Sequence, residues 1–403
     1  MERPYGTVTI TPKGERKLRG GHPWVFDAEV TETAGVAADG EIVDVRSSRG
    51  RYLGSGFFNS HSKIRVRLGT RNANDRLDES FWRRALRYAV DYRRTVMGPD
   101  FDCCRLIFGE ADRFPGLTVD RFGDVLVTET LSLGIERIKG MLFPALAEIL
   151  REGGTEIRAV YERNDSALRK KEGLECGRGY FSGGGDGRTE ICENGIFYDV
   201  DYAGGQKTGF FLDQKYNRRA AAALAPGRKV LDCFTHTGAF GLNCAKAGAA
   251  HVTCVDVSAD AVALAEKNAA RNGLAARMDF VCADVFALLT ELGEGRQRAD
   301  WDYIILDPPA FSKSAATLRA AIRGYREINR RAMQILPRGG YLATCSCSHF
   351  MTDALFREML RDAAADAQVQ LRQIEARQQG PDHPVLWGVP ETEYLKFYLF
   401  QVV

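Results

Sequence analysis

The chain has 403 residues, 45% apolar and 27% charged, which leaves room for two or three cored domains and excludes a disordered or fibrous protein. Its 55 Lys and Arg against 53 Asp and Glu give a formal charge of +2, so it is not polybasic, although a local basic face is not excluded. Ten cysteines without a C-x-x-C spacing argue against a disulfide scaffold, a zinc ribbon or a thioredoxin-type motif. Free thiols point to a reducing compartment, and with no apolar signal core or membrane-length apolar run the expected location is cytoplasmic.

Three zones follow along the chain. Residues 1–71 carry short β-like runs, at Thr7–Ile10, Glu41–Arg46, Leu53–Phe58 and Lys63–Leu68. The last alternates Lys63, Arg65 and Arg67 with apolar residues, as expected of a strand with one wet, positive face. Residues 1–74 hold 12 Lys and Arg against 8 Asp and Glu, so this zone reads as a small β-barrel with a basic side. Thr70–Asp75 is polar and reads as a linker. Residues 75–195 read as α+β. Phe81, Ala85, Tyr88, Ala89 and Tyr92 are spaced as an amphipathic helix over Phe81–Met97, followed by strands near Arg105–Phe108, Leu117–Asp120 and Val125–Thr130. A helix near Ile138–Leu150 and a strand at Arg158–Tyr161 come next, and Gly183–Gly185 marks a loop.

From residue 196 strands and helices alternate, the pattern of a parallel sheet covered by helices on both faces. Strands are expected at Lys229–Cys233, His251–Val257, Met278–Ala283, Tyr303–Asp307 and Tyr341–Cys345. Helices are expected at Gln214–Leu224, Ala239–Ala247, Ala259–Asn272, Val285–Leu292, Leu318–Ile335 and Thr352–Ala365. Val369–Ile374 and Tyr394–Phe400 suggest a closing antiparallel hairpin, unusual for a dinucleotide-binding domain.

The candidate chemistry sits at the strand ends. Asp232 to Gly241 forms a glycine-containing turn, with Phe234, Thr237 and Gly238, where a ligand can approach backbone. Asp256 ends the next strand 18 residues after Gly238, placed for ribose hydroxyls, and Asp284 ends the third, placed for an adenine amino group. The G-x-G-x-x-G that a pyrophosphate needs is absent, so S-adenosylmethionine (SAM) fits better than NAD. Helix capping by Asp256 and Asp284 is the plainer alternative. The fourth strand ends in Asp307-Pro308-Pro309-Ala310-Phe311: a fixed carboxylate for the amino group of a base, with an aromatic able to stack on it. At the fifth strand end, Cys345 and Cys347 lie among hydroxyl-bearing residues, whereas Cys233, Cys254 and Cys282 lie within apolar strands and read as packing. A thiol matters for methylation of a pyrimidine at C5, because thiolate addition at C6 makes C5 nucleophilic. A metal at Cys345, Cys347 and His349 lacks a nearby fourth ligand, so none is expected.

These residues resemble the large-subunit rRNA cytosine-C5 methyltransferases that carry an N-terminal PUA domain. The resemblance spans nearly the whole chain: Gly20–Phe26 is similar to the PUA signature, Phe114–Asp124 to the central domain, and Gly205–Gln214 to the segment leading into the catalytic domain. It implies an α/β fold: a Rossmann-like class I methyltransferase domain at 196–403, a PUA-like β-barrel at 1–71 and a central α+β domain at 75–195. It also implies SAM as cofactor, contacted by Phe211, Asp213, Gln214, Asp232, Phe234, Thr237, Gly238, Asp256, Val257, Asp284, Val285 and Asp307. For the substrate, 23S rRNA, it implies Pro308, Pro309 and Phe311 at the base, with Lys63, Arg65 and Arg67 at the RNA. A homodimer is left open. Thr344-Cys345-Ser346 matches the Thr-Cys-Ser of RNA cytosine methyltransferases, but counted from Gly340 the family's cysteine falls seven residues on. Cys347 is therefore the expected nucleophile and Cys345 the second candidate. Pro309 replaces the Pro-Cys cysteine of two-cysteine enzymes, so the base and release roles are unassigned.

Two other readings compete with a C5 methyltransferase. Asp-Pro-Pro with a nearby aromatic is also the layout for methylating adenine N6 or guanine N2, although there the aromatic follows the second proline directly. A non-catalytic RNA-binding module is opposed by the acidic strand ends and both thiols.

Overall fold

The computed structural model describes residues 3–36, 38–294, 301–312 and 314–403. The chain divides into two compact units, one of Met1–Ile191, Val200–Leu212 and Pro381–Thr392, the other of Cys192–Asp199, Asp213–Gly380 and Glu393–Val403.

The first unit opens with β1 (Gly6–Ile10), α1 (Pro12–Arg19), β2 (Trp24–Phe26), β3 (Val30–Ala34), β4 (Ile42–Ser47), β5 (Tyr52–Phe58) and β6 (Ile64–Thr70). The strands make one sheet in the order β2-β6-β5-β4-β1-β3, parallel only between β1 and β4. Alternate residues face one core, in which Val8, Ile10, Val43, Val45 and Val66 are buried. All four expected runs are strands, while α1, β2 and β3 were not anticipated. For α1 the signal was Thr11-Pro12: the Thr11 side chain accepts the Gly14 N–H at 3.2 Å and proline opens the helix.

Next come α2 (Glu79–Met97), β7 (Cys103–Phe108), β8 (Leu117–Phe122), β9 (Val125–Thr130), α3 (Leu133–Glu152), β10 (Ala159–Asn164) and β11 (Gly177–Gly183). Their sheet runs β11-β10-β9-β8-β7. Asp78 caps α2 by accepting the Phe81 N–H at 2.9 Å. The buried stripe of α2 runs through Trp82, Leu86, Ala89 and Val90, so the expected Tyr88 and Tyr92 lie off it, 62% and 37% exposed. The expected loop at Gly183–Gly185 begins at Gly184, since pairing with Ala159 of β10 extends glycine-rich β11 through Gly183. A hairpin of β12 (Arg188–Glu193) and β13 (Ile196–Asp201) follows.

The second unit is built on α4 (Lys215–Ala222), β14 (Lys229–Cys233), α5 (Ala239–Lys246), β15 (His251–Asp256), α6 (Ala259–Arg271), β16 (Met278–Cys282), α7 (Val285–Glu294), β17 (Tyr303–Leu306), α8 (Leu318–Ile335), β18 (Tyr341–Ser346), α9 (Asp353–Asp366), β19 (Leu371–Arg377) and β20 (Lys396–Val402). The seven strands lie in the order β16-β15-β14-β17-β18-β20-β19, and the first five are parallel. Buried Leu231, Val255, Ile304, Leu306 and Leu342 pack with Tyr325 and Ile328 of α8 and Phe356 and Leu360 of α9. Five parallel strands end at one edge of this sheet. Because β20 is antiparallel to β18, it begins at that same edge, with Lys396 opposite Ser346.

No helix among the described residues is long and apolar enough to cross a membrane. Within the first unit, Gly134 of α3 lies against the Phe57 ring of β5, where an added Cβ would collide with the ring. A helical Gly→Ala change ordinarily stabilises by about 1 kcal/mol. Gly134→Ala should instead destabilise by about 1–3 kcal/mol through overpacking, read as a lower midpoint in denaturant unfolding.

Candidate active site

Asp232, the penultimate residue of β14, is wholly buried beneath the turn that follows. One of its carboxylate oxygens accepts from the Thr235 hydroxyl at 2.5 Å and from the Gly241 N–H at 2.8 Å, tying the two ends of the turn together. Burial pushes its pKa up to about 7, against the opposing pull of those two hydrogen bonds. The turn is tightly wound: Phe234, His236 and Gly238 all have φ between +49° and +79°. At Gly238 glycine is needed twice over, since a Cβ would also lie 2.9 Å from that of Ala265 in α6. Asp232 therefore shapes the turn with one oxygen, while its other oxygen is buried without a hydrogen-bond partner among the described residues.

Asp256 at the end of β15 accepts the His236 N–H at 2.9 Å with one oxygen and the Ser258 N–H at 3.0 Å with the other. It links the turn to the neighbouring strand and keeps lone pairs for further donors. Beyond it Val257 is 70% exposed, an uncovered apolar side chain at the sheet edge. Asp284 is exposed and accepts the Ala287 N–H at 2.9 Å, the capping role recognised as its plainer reading; Val285 beside it is buried. Phe234, Phe286 and Phe311 form a ring cluster, with centroids 5.8–6.5 Å apart, and Phe311 also packs on Tyr325 at 4.5 Å. Thr237 is buried, its carbonyl accepting from Asn268 at 3.1 Å. Phe211 falls in the first unit, Asp213 and Gln214 in the second.

Asp307, just past β17, is half-buried at the centre of a polar relay. Arg377 donates to Asn217 at 3.2 Å, Asn217 to Gln214 at 2.7 Å, and Gln214 to Asp307 at 2.9 Å, so each amide is oriented by the one before it. Burial raises the Asp307 pKa to about 6, opposed by Arg218 and by hydrogen bonds from Gln214 and the Cys345 thiol. Asp213, which accepts from the Tyr394 hydroxyl at 2.6 Å, adds to the rise. Arg218 itself is buried against Glu193 at 2.6 Å. Pro308 is buried and Pro309 exposed.

The two thiols differ sharply. Cys345 lies inside β18 with no exposure, and burial followed by the Asp307 charge raises its pKa well above the usual range. Cys347 lies one residue past the strand, half-buried, its Sγ 4.0 Å from the Pro308 carbonyl. Sequence reasoning missed Lys396. Its buried ammonium donates to the carbonyls of Ser348 and Tyr394, both at 2.7 Å, and burial lowers its pKa to about 8 while the Cys347 charge opposes the fall. The signal was a lone cation at the mouth of an apolar strand, Phe397–Phe400.

The basic strand β6 needs correction. Arg67 does not lie on a wet positive face: it is ion-paired with Glu110 at 3.4 Å and Glu172 at 2.8 Å, only 11% exposed, and rests on the Trp24 ring. An arginine flanked by two carboxylates is drawn inward. Arg65 donates to the Asn59 carbonyl at 3.1 Å, and Lys63 is exposed.

Comparison with known proteins places this architecture. The PUA-like domain profile matches residues 8–71, and the S-adenosylmethionine-dependent methyltransferase profile matches residues 159–400. The chain belongs to the S-adenosylmethionine-dependent methyltransferase family. It is 38% identical to the ribosomal RNA large subunit methyltransferase I of Klebsiella pneumoniae (strain 342), over 98% of each chain. Against the protein of that name from Photobacterium profundum it is 42% identical, over 97% of this chain and 98% of the other. A Streptococcus mutans structure assigned to the SAM-dependent methyltransferases shares the fold at 22% identity, with a TM-score of 0.82 over 98% of this chain and 100% of the other. A methyltransferase structure complexed with SAH does so at 22% identity, with a TM-score of 0.83 over the same shares.

The cofactor of this methyltransferase is therefore SAM, and the sheet edge suits it. The turn offers backbone and carboxylates without the bare glycine triplet of a pyrophosphate site, and Val257 leaves an apolar edge open to a nucleoside. When bound, SAM supplies an electrophilic methyl group. Asp256→Ala should weaken SAM binding about 10–150-fold, the value of one charge-assisted hydrogen bond. Calorimetry reads this, with the thermal midpoint reported alongside because the same change frees the turn at His236.

Proposed function

We propose that this methyltransferase modifies C5 of a cytosine in 23S ribosomal RNA through a covalent cysteine adduct. On this reading residues 1–71 engage the RNA, and residues 196–403 carry out the transfer. The relatives' names support the substrate. The single observation that carries the chemistry is the unlike environment of the two thiols beside Asp307: one is buried and kept protonated, the other sits at the open strand end beside a buried ammonium.

C5 lies within the base stack of a folded RNA, so the cytosine must turn out to reach the strand ends. Asp307, held by Gln214, then accepts from the cytosine amino group. Lys396 faces Cys347 with a positive charge, and the Cys347 thiolate adds to C6. The electron pair displaced onto C5 takes the methyl group. Loss of the C5 proton to a base then regenerates the ring as the C6–S bond breaks and the thiolate leaves. Cys345 serves as a hydrogen-bond donor that orients Asp307.

Cys347→Ala should abolish methylation while keeping SAM affinity, and Cys345→Ala should retain substantial activity. RNA with 5-fluorocytosine at the target should trap the wild type as a denaturant-resistant adduct, and Cys347→Ala should form none. Full methylation by Cys347→Ala would overturn the covalent reading in favour of amine methylation at Asp307. Adduct loss confined to Cys345→Ala would move the nucleophile by two residues.

Asp307 acts here as a carboxylate. Its raised pKa makes it protonated below about pH 6. Activity should therefore rise with pH through about 6, falling about tenfold per unit on the acid side. Asp307→Asn should lower kcat/KM and remove that limb from the pH–rate profile.

A further inference from the structure

The segment Pro381–Thr392 leaves the seven-stranded sheet between β19 and β20 but belongs to the first compact unit. It is firmly held there. The buried Asp382 carboxylate accepts the Arg105 N–H at 2.9 Å, its carbonyl accepts from Arg93 at 2.9 Å, and the Pro381 carbonyl accepts from the Tyr92 hydroxyl at 3.0 Å. Glu391 meets the His22 ring at 3.3 Å. Inside the segment, the Thr392 hydroxyl takes the Leu386 N–H at 2.9 Å and donates to the Val389 carbonyl at 2.7 Å, closing a tight turn.

That turn buries His383 and Val389 to 2% exposure or less, yet leaves Trp387 97% exposed. A large, rigid aromatic ring displayed by a well-anchored turn is suited to contact with another molecule. Its surroundings indicate which kind. Gly388 touches Gly21 backbone to backbone, so that a Cβ on either would lie 2.7–2.9 Å from the other's Cα. Gly21 follows α1, whose Lys13, Arg16 and Arg19 are exposed at three-residue spacing. Among the described residues none of these three has an ion-pair partner. A protein-binding hot spot needs a closed surround of apolar contacts, whereas beside the indole the turn adds small prolines, a half-buried Val385 and Leu386, 39% exposed. An exposed aromatic on a turn that touches the end of a helix bearing unpaired cations matches a polyanion with exposed rings.

We propose that Trp387 is a stacking platform for an unpaired RNA base, with Arg16 and Arg19 of α1 meeting the flanking phosphates. Arg16 and Arg19 lie within the matched PUA-like residues, whereas Trp387 lies outside them, on the segment between β19 and β20. Its natural ligand rests on the rRNA reading above; its preference for single-stranded RNA does not.

The test uses the full-length protein with two probes, protein-free 23S rRNA and a single-stranded uridine oligonucleotide. Trp387→Ala should weaken binding of both by about tenfold or more, and Trp387→Phe should restore most of it. Arg16→Glu with Arg19→Glu should weaken binding and flatten its dependence on salt. SAM affinity and the thermal midpoint should not change in any of these variants, since the side chains are exposed. Wild-type affinity of Trp387→Ala for the oligonucleotide would overturn the proposal. So would a switch from dimer to monomer in sedimentation with RNA affinity intact, which would make the indole a self-association contact. If the wild type bound the oligonucleotide but not 23S rRNA, the substrate reading would fail and the stacking site would stand.

Discussion

The antiparallel pairing of β20 with β18 is the constraint on which the site depends. Parallel strands deliver every turn to one edge of a sheet, but they bring no strand beginning there. A reversed strand does, and it carries Lys396 to the edge opposite Ser346, with its ammonium on the Ser348 carbonyl. Cys347 lies between those two serines. Three residues distant in sequence, Asp307, Cys347 and Lys396, thus reach one edge through strand direction alone.

Desolvation then sorts the groups gathered there. Burial and then the Asp307 charge keep the Cys345 thiol from ionising, while burial raises the half-buried Asp307 carboxyl to about 6 against the thiol's hydrogen bond. Cys347 is removed from that pairing by two residues of strand length, which puts it past the end of the ladder. The relay from Arg377 through Asn217 and Gln214 fixes the orientation of Asp307 before any substrate arrives, and such preorganisation is where much catalytic electrostatic advantage originates. Asp232 does comparable work under the cofactor turn.

The long connection between β19 and β20 has a second consequence. The same stretch of chain that returns Lys396 to the sheet first belongs to the other compact unit, where Asp382 anchors it on Arg105 and Arg93.

Much of this protein was readable in its residues. The alternation of apolar runs and helical periods after residue 196 announced the parallel sheet and its closing hairpin, because period-2 and period-3.6 patterns are local. The acidic strand ends, Asp-Pro-Pro and the two cysteines were equally plain, as chemistry-bearing types at predictable turns. What pattern cannot carry is the partner. Arg67 looked like a free cation until Glu110 and Glu172, far along the chain, drew it inward. Tyr88 and Tyr92 fitted a helical stripe whose buried face turned out to lie through Leu86 and Val90. The Lys396 ammonium, the separation of the two thiols and the exposure of Trp387 were likewise decided by tertiary structure, because burial and electrostatic neighbours depend on residues that only folding brings together.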